Sequence, residues 1–167
     1  MDYLKNILKL GQFYERRGDP MREISSEIEI YADQSDVWEV LVNFDNWAEW
    51  NPSVKEAKGT GTLGSKVNLT MASPEGKKGK AYTVTITTFE APRSLRWRAV
   101  MMAGFLMTND RSLELISTGG STKVVNTEHF SGMLVNLFWG KLQSFVPGSL
   151  KKMNEALKEK AEQGGRS

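Results

Sequence analysis

Side chains able to do chemistry are scarce in this sequence, and their types narrow what that chemistry could be. There is one histidine, His129, and no cysteine. A zinc or iron site built from converging imidazoles and thiolates therefore has no ligand set, and no metal is expected. His129 has no second histidine to pair with and falls on the odd-numbered face of its strand, which reads as solvated rather than catalytic. The titratable groups on strand faces that otherwise carry apolar residues are Glu128 and Tyr82, with Arg111 as a cation on a neighbouring strand. These could supply one acid or base and one guanidinium able to hold an anion. No residue is assigned a catalytic role on this basis. Gly59-Thr60-Gly61-Thr62-Leu63-Gly64 has the letters of a dinucleotide fingerprint, yet it precedes a strand, so no helix N-terminus is available to hold phosphate. It reads as a loop, and no cofactor is expected.

The elements that must position these groups are legible from periodicity. Leu142, Val146, Leu150, Met153 and Leu157 recur at intervals of four, four, three and four, which puts them on one stripe of a long C-terminal helix. Lys151, Lys152, Glu155 and Lys158 are expected on its exposed side, and Pro147 should kink or restart it. Most of the chain before it alternates with period two. Ser26, Ile28 and Ile30 mark a first strand, and Val67, Leu69 and Met71 a later one. Tyr82, Val84 and Ile86 share a face of the next strand, and Leu95, Trp97, Ala99 and Met101 share a face of the strand after it. Arg111, Leu113 and Leu115 follow on one parity. In the last strand both parities carry apolar residues, and the even set, Val124, Asn126, Glu128 and Phe130, is taken as inward. Between the first strand and the rest, Asp33 or Ser35 caps a helix ending near Asn43, and a further short turn of helix carries Trp47 and Trp50 before Pro52 stops it. Turns are expected at Ser73-Pro74-Glu75-Gly76, Ala91-Pro92-Arg93, the loop holding Gly104, and Gly119-Gly120. Counting outward from Gly119-Gly120 places Arg111 and Glu128 at comparable distances along one hairpin, so the two are expected to pair.

A chain of 167 residues with 40% hydrophobic and 25% charged residues has the composition of one globular domain. The expected division is an N-terminal amphipathic extension over 1–20, one domain over 22–163 and a polar tail over 164–167. The extension sets Leu4, Ile7 and Leu8 against Lys5, Lys9, Arg16 and Arg17. Packing on its own domain or on a second copy is its expected role, and contact of residues 1–17 with an anionic membrane surface is the alternative. The chain reads as a monomer or a homodimer. A net charge of +2 with scattered basic residues gives no footprint for nucleic acid. No run approaches a membrane span. With no cysteine and no visible secretory segment, a reducing, cytoplasmic location is expected.

The order of strand, two short helices, antiparallel strands and one long helix is that of the helix-grip fold. The segments VWEVLVNFDNWAEWNP, LRWRAV, HFSGML and MNEALKEKAE resemble the polyketide cyclase/dehydrase branch of the START-like (SRPBCC-type) superfamily over roughly Ile24 to Glu162. That resemblance implies an α+β fold, a curved antiparallel sheet wrapped around the C-terminal helix. It also implies a mostly apolar cavity between them for lipids, polyketides or other hydrophobic small molecules. Similar sequences often carry His where this chain has Arg111 and Asn126, in the pattern His-x-Glu-x-Phe-x-Gly. Glu128, Phe130 and Gly132 match that pattern, but no histidine-dependent activity carries over.

Three readings remain at this level. The first is a protein that carries or sequesters an apolar molecule. The second is a cyclase or dehydratase using the same cavity, and the third is an interaction module whose core is filled. The first needs only the inward faces, whose expected lining is Trp50, Tyr82, Val84, Trp97, Met101, Arg111, Leu113, Glu128, Phe130 and Leu142. Trp47 and Trp50 read first as plugs closing the sheet against the helix. Met71, Met101, Met102, Met107, Met133 and Met153 suit adaptable packing around a variable guest.

Overall fold

The computed structural model describes residues 21–73, 78–101 and 106–164. The N-terminal extension, most of the Ser73-Pro74-Glu75-Gly76 turn, the Gly104 loop with Met102, and the last three residues lie outside the described residues. In chain order the elements are β1 (Met21–Ile30), α1 (Gln34–Val42), a 3-10 turn (Phe44–Asn46), α2 (Trp47–Trp50) and β2 (Val54–Lys58). Then come β3 (Lys66–Ala72), β4 (Lys78–Glu90), β5 (Ser94–Met101), β6 (Met107–Ser117), β7 (Thr122–Ser131) and α3 (Val135–Gly164). The seven strands form one sheet in the order β1-β7-β6-β5-β4-β3-β2, each pair antiparallel. The fold is the expected α+β helix-grip arrangement, with α3 lying across the sheet.

The even parity of β7 is the inward one. Val124, Asn126 and Phe130 are buried, and their partners across the β6–β7 ladder are Leu115, Leu113 and Asn109. The hairpin register follows from its turn: Gly119 and Gly120 both take positive φ (82° and 119°), conformations that residues with a Cβ resist. That two-residue turn makes Arg111 and Glu128 direct partners. At the other end of β7, Gly132 has φ 121°, and a Cβ there would stand 2.5 Å from the Leu106 carbonyl oxygen. The close approach lets Leu134 N–H donate to that oxygen at 3.1 Å, which seats the start of α3 beside the β5–β6 hairpin.

The α3 stripe is buried as its spacing requires: Leu142, Val146, Leu150, Met153 and Leu157 are at most 5% exposed, and Asn154 and Ala161 extend the stripe. Lys151, Lys152 and Glu155 are exposed, whereas Lys158 is only partly so. Its ammonium donates to the Glu29 carbonyl at 2.8 Å, pairs with Glu162 and lies over the Tyr31 ring, so the helix end is tied to β1 by its charged side as well. Of the kink or restart expected at Pro147, the restart does not occur. The chain is helical from Val135 to Gly164 with Pro147 inside, its missing N–H costing one hydrogen bond to the preceding turn while burial on both sides of it holds the helix together. Asp33 takes the N-cap position of α1, yet no side chain caps the helix. The Asp33 backbone carbonyl accepts from Asp36 and Val37 instead.

Two apolar clusters flank this helix. The larger joins α1, the 3-10 turn and α2 to the inner faces of β2–β7 and to Met153, Leu157 and Ala161. The smaller gathers Met107, Phe130, Val135, Leu142, Val146 and Leu150.

Candidate ligand cavity

The space between the two clusters is a cavity of about 440 Å³. It exists because α3 packs chiefly on β1, and less on α1 and β7, toward one edge of the sheet, so the inner faces of β3, β4 and β5 are not closely covered by it. Its floor is Trp47, Val54, Leu69, Trp97 and Ala99, and its roof is Leu142, Val146 and Met153 from α3. Trp47 is fixed in place by its indole N–H donating to the Leu41 carbonyl at 2.9 Å and by edge contacts with Trp50 and Trp97 at centroid separations of 5.8 and 5.7 Å. At the mouth stand Tyr82, Val100, Met101 and Phe145, which are 40–60% exposed.

Of the residues expected to line such a space, the structure places Tyr82, Trp97, Met101, Arg111, Glu128, Phe130 and Leu142 around it. Trp50, Val84 and Leu113 are elsewhere. Val84 shares the parity of Tyr82 but lies two residues further into the sheet, paired with Val67 and Ala99 in the closed core. Leu113 is likewise two residues past Arg111, among the buried residues of the larger cluster. Trp50 packs edge-on against Trp47, and of the two it is Trp47 that lines the cavity. Shared parity selects the face of a strand but not the depth along it. Met71, Met101 and Met153 line the cavity, Met107 belongs to the smaller cluster, and Met133 is exposed.

One wall is polar. Arg111 Nη1 lies 3.3 Å from Glu128 Oε1, with both side chains nearly buried, and Asn109 donates to Glu128 Oε2 at 3.0 Å. Arg111 Nε donates to Asn126 Oδ1 at 3.0 Å. Asn126 in turn donates to Asn154 Oδ1 at 2.8 Å, and the Asn154 amide reaches Ser26. The chain of bonds thus runs from β1 through α3 and β7 to the cavity wall. Asn154 was missed in the sequence because it is a polar residue on the apolar stripe of the helix; its place between Met153 and Leu157 was the available signal. Arg111 Nη2 is buried with no hydrogen-bond partner among the described residues. Glu128 is satisfied twice, whereas the guanidinium retains an unused donor group beside the cavity, with the Trp97 ring 5.9 Å from its Cζ. Tyr82 on the rim is near enough to feel both charges. Burial raises its phenol pKa above the ordinary 10.0, Arg111 pulls it down and Glu128 pushes it up, so at neutral pH it is a neutral phenol, able to donate one hydrogen bond.

On the opposite face of the sheet, His129 is outward as expected but is not freely solvated. It is half-buried, with Nδ1 3.4 Å from Glu23. Burial, reinforced by Arg96, lowers its pKa below the ordinary 6.5 against the opposing pull of Glu23 and Asp110. The unfolded state therefore takes up this proton first as pH falls. Stability from the neutral imidazole is complete above 6.5 and declines as pH drops from there toward the folded-state pKa. Thermal unfolding followed over that window should show a falling midpoint that His129→Gln flattens. Glu114, raised above 4.5 mainly by burial, acts in the opposite sense, so the difference between wild type and variant isolates the imidazole.

A family model described as "Polyketide cyclase / dehydrase and lipid transport" matches residues 21–162. Among solved structures, the Zhui aromatase/cyclase from Streptomyces sp. R1128 superposes with a TM-score of 0.72 at 18% identity, covering 89% of this chain and 98% of that one. Norcoclaurine synthase from Thalictrum flavum, in complex with dopamine and hydroxybenzaldehyde, gives 0.70 at 13% identity over 91% and 92% of the two chains. Protein NE0264 from Nitrosomonas europaea gives 0.62 at 16% identity over 83% and 95%. At these identities the likeness is one of fold. No curated protein sequence is a significant match.

Proposed function

The chain belongs to the polyketide cyclase/dehydrase and lipid-transport family, and from that premise we propose that it binds one mostly apolar small molecule, a lipid, polyketide or aromatic compound, in the cavity beneath α3. The guest enters past Tyr82, Met101 and Phe145 and sets its apolar body against Trp47, Trp97, Phe130 and Leu142. The cavity volume falls within the roughly 300–1,000 Å³ of small-molecule sites, and apolar walls with a few convergent polar groups are the usual make-up of such sites. The observation that carries the reading is the unpartnered Arg111 Nη2 in an otherwise satisfied polar wall. A buried donor left unmade costs ~1–3 kcal/mol, and a carboxylate, phenolate or carbonyl oxygen of a guest would recover it through a charge-assisted hydrogen bond. Binding for carriage or sequestration requires nothing more.

A second reading, cyclisation or dehydration of a reactive polyketide-like chain, has one observation in its favour. The Tyr82 phenol, the Glu128 carboxylate and the Arg111 guanidinium meet on one side of the same cavity, which is where a proton donor, a base and an oxyanion partner would be needed. Native mass spectrometry of the purified protein, with organic extraction and identification of any bound compound, tests the first reading. An apolar compound bearing one acidic or carbonyl oxygen is the expected finding. Conversion of added polyketide-like substrate, with loss of turnover in Tyr82→Phe, would give precedence to the second.

A further inference from the structure

The end of the molecule at which the cavity opens is also where exposed apolar side chains gather. Leu137, Met133, Val100 and Phe145 are 75, 67, 60 and 54% exposed. They belong to one surface. The Leu134 N–H to Leu106 carbonyl bond joins the start of α3 to the end of the β5–β6 hairpin whose other limb closes with Val100, and Phe145 and Val100 both border the cavity. Leu137, Lys141 and Phe145 recur at intervals of four and so form a second, exposed stripe of α3, which drifts from the outer side at Leu137 to the cavity rim at Phe145. The first half of the helix is thus apolar on two faces, whereas its second half carries charges on the outer one. Packing within this domain explains only the inner face.

The charge of this end is equally one-sided. The stretches 76–89, 91–109 and 129–154, which supply β4 up to its last residue, β5 and the first half of α3, contain no aspartate or glutamate, although the chain has 20 such residues. They do contain Lys80, Lys141 and Lys152, and Lys151, which pairs with Glu155. Projecting apolar tips beside lysines complement an anionic bilayer surface, where side chains enter the headgroup and acyl boundary and lysines meet the lipid head groups. Among the described residues no helix is long and apolar enough to cross a membrane, so the contact is peripheral.

We propose that this end of the molecule docks on an anionic lipid membrane, with Met133, Leu137 and Phe145 entering the acyl boundary and Lys141 among the head groups, so that the cavity mouth faces the bilayer. Docking needs no cavity ligand, and its test is independent of the function proposed above. The full chain is floated with vesicles of phosphatidylcholine alone and of phosphatidylcholine mixed with phosphatidylserine. The mixed vesicles should carry it, less so at high salt. The double variant Met133→Glu with Leu137→Glu, at positions outside the cavity lining, should lose at least ~10-fold in partitioning with its circular dichroism spectrum unchanged. Lys141→Glu serves as a second, milder variant and should bind mixed vesicles more weakly. Failure to bind either vesicle overturns the proposal. So does undiminished binding by the double variant, which would move the contact elsewhere, for example to residues 1–17. Self-association that the double variant abolishes while vesicles remain unbound would also overturn it, making the surface an interface between copies.

Discussion

Arg111→Leu alone should lower the free energy of unfolding by about 3–5 kcal/mol, the range for breaking a buried ion pair from one side. Glu128 is only 13% exposed in its side chain, and the variant would leave its carboxylate with the Asn109 amide as its remaining donor among the described residues while also leaving Asn126 Oδ1 without the Arg111 N–H. Leucine has nearly the bulk of the arginine stem, so the loss is electrostatic rather than a cavity effect. Adding Glu128→Leu removes the stranded charge and should return most of the stability, since replacing a buried pair by apolar residues is often neutral. Urea unfolding of the two singles and the double gives the cycle. A single-variant loss within the roughly 0.5 kcal/mol of ordinary surface substitutions would mean that the pair is solvated and that the wall is not a buried polar site.

Leu157→Ala should cost about 2–5 kcal/mol. Leu157 is fully buried and belongs to the cluster that holds α3 against α1 and the sheet, so truncation leaves a void that neighbouring side chains can only partly close. Lys151→Ala, on the exposed face of the same helix, should change stability by no more than ~0.5 kcal/mol. The contrast, measured by denaturant unfolding, tests whether the helix is gripped along the stripe that its spacing defines. Equal small losses at both positions would contradict the packing.

The helix and the strand faces were legible because each is a long periodic signal on which burial acts directly. The Arg111–Glu128 pairing was legible for a different reason: two glycines fix a two-residue turn, and a turn fixes every partner along its hairpin. Depth along a strand was not legible. Val84 and Leu113 share faces with Tyr82 and Arg111, but which of them meets open space depends on where α3 crosses the sheet, and crossing position is a tertiary property with no local trace. The same holds for Trp47 and Trp50, which the three-residue spacing places on one face without saying which points to the cavity. Asn154 escaped attention because its partners, Asn126 and Ser26, are 28 and 128 residues away. Lys158 lies off the buried stripe, and its partners, the Glu29 carbonyl on β1, the Tyr31 ring and Glu162, appear only once the helix end is packed. The exposed Leu137 and Phe145 stand in the run that opens α3, but a second apolar face has meaning only beside the cavity mouth.

The central claim, an apolar cavity whose polar wall offers a free guanidinium donor to one guest oxygen, is tested most directly by titrating a fatty acid and its methyl ester against wild type and the Arg111→Leu/Glu128→Leu double variant. Trp47 and Trp97 line the cavity, so their fluorescence reports occupancy. A charge-assisted hydrogen bond is worth ~1.5–3 kcal/mol, so wild type should bind the acid at least ~10-fold more tightly than the ester, and the double variant should bind the two alike with the ester held as before. Equal affinities for acid and ester in wild type, or undiminished binding of the acid by the double variant, would contradict it and leave Arg111 as a structural strut.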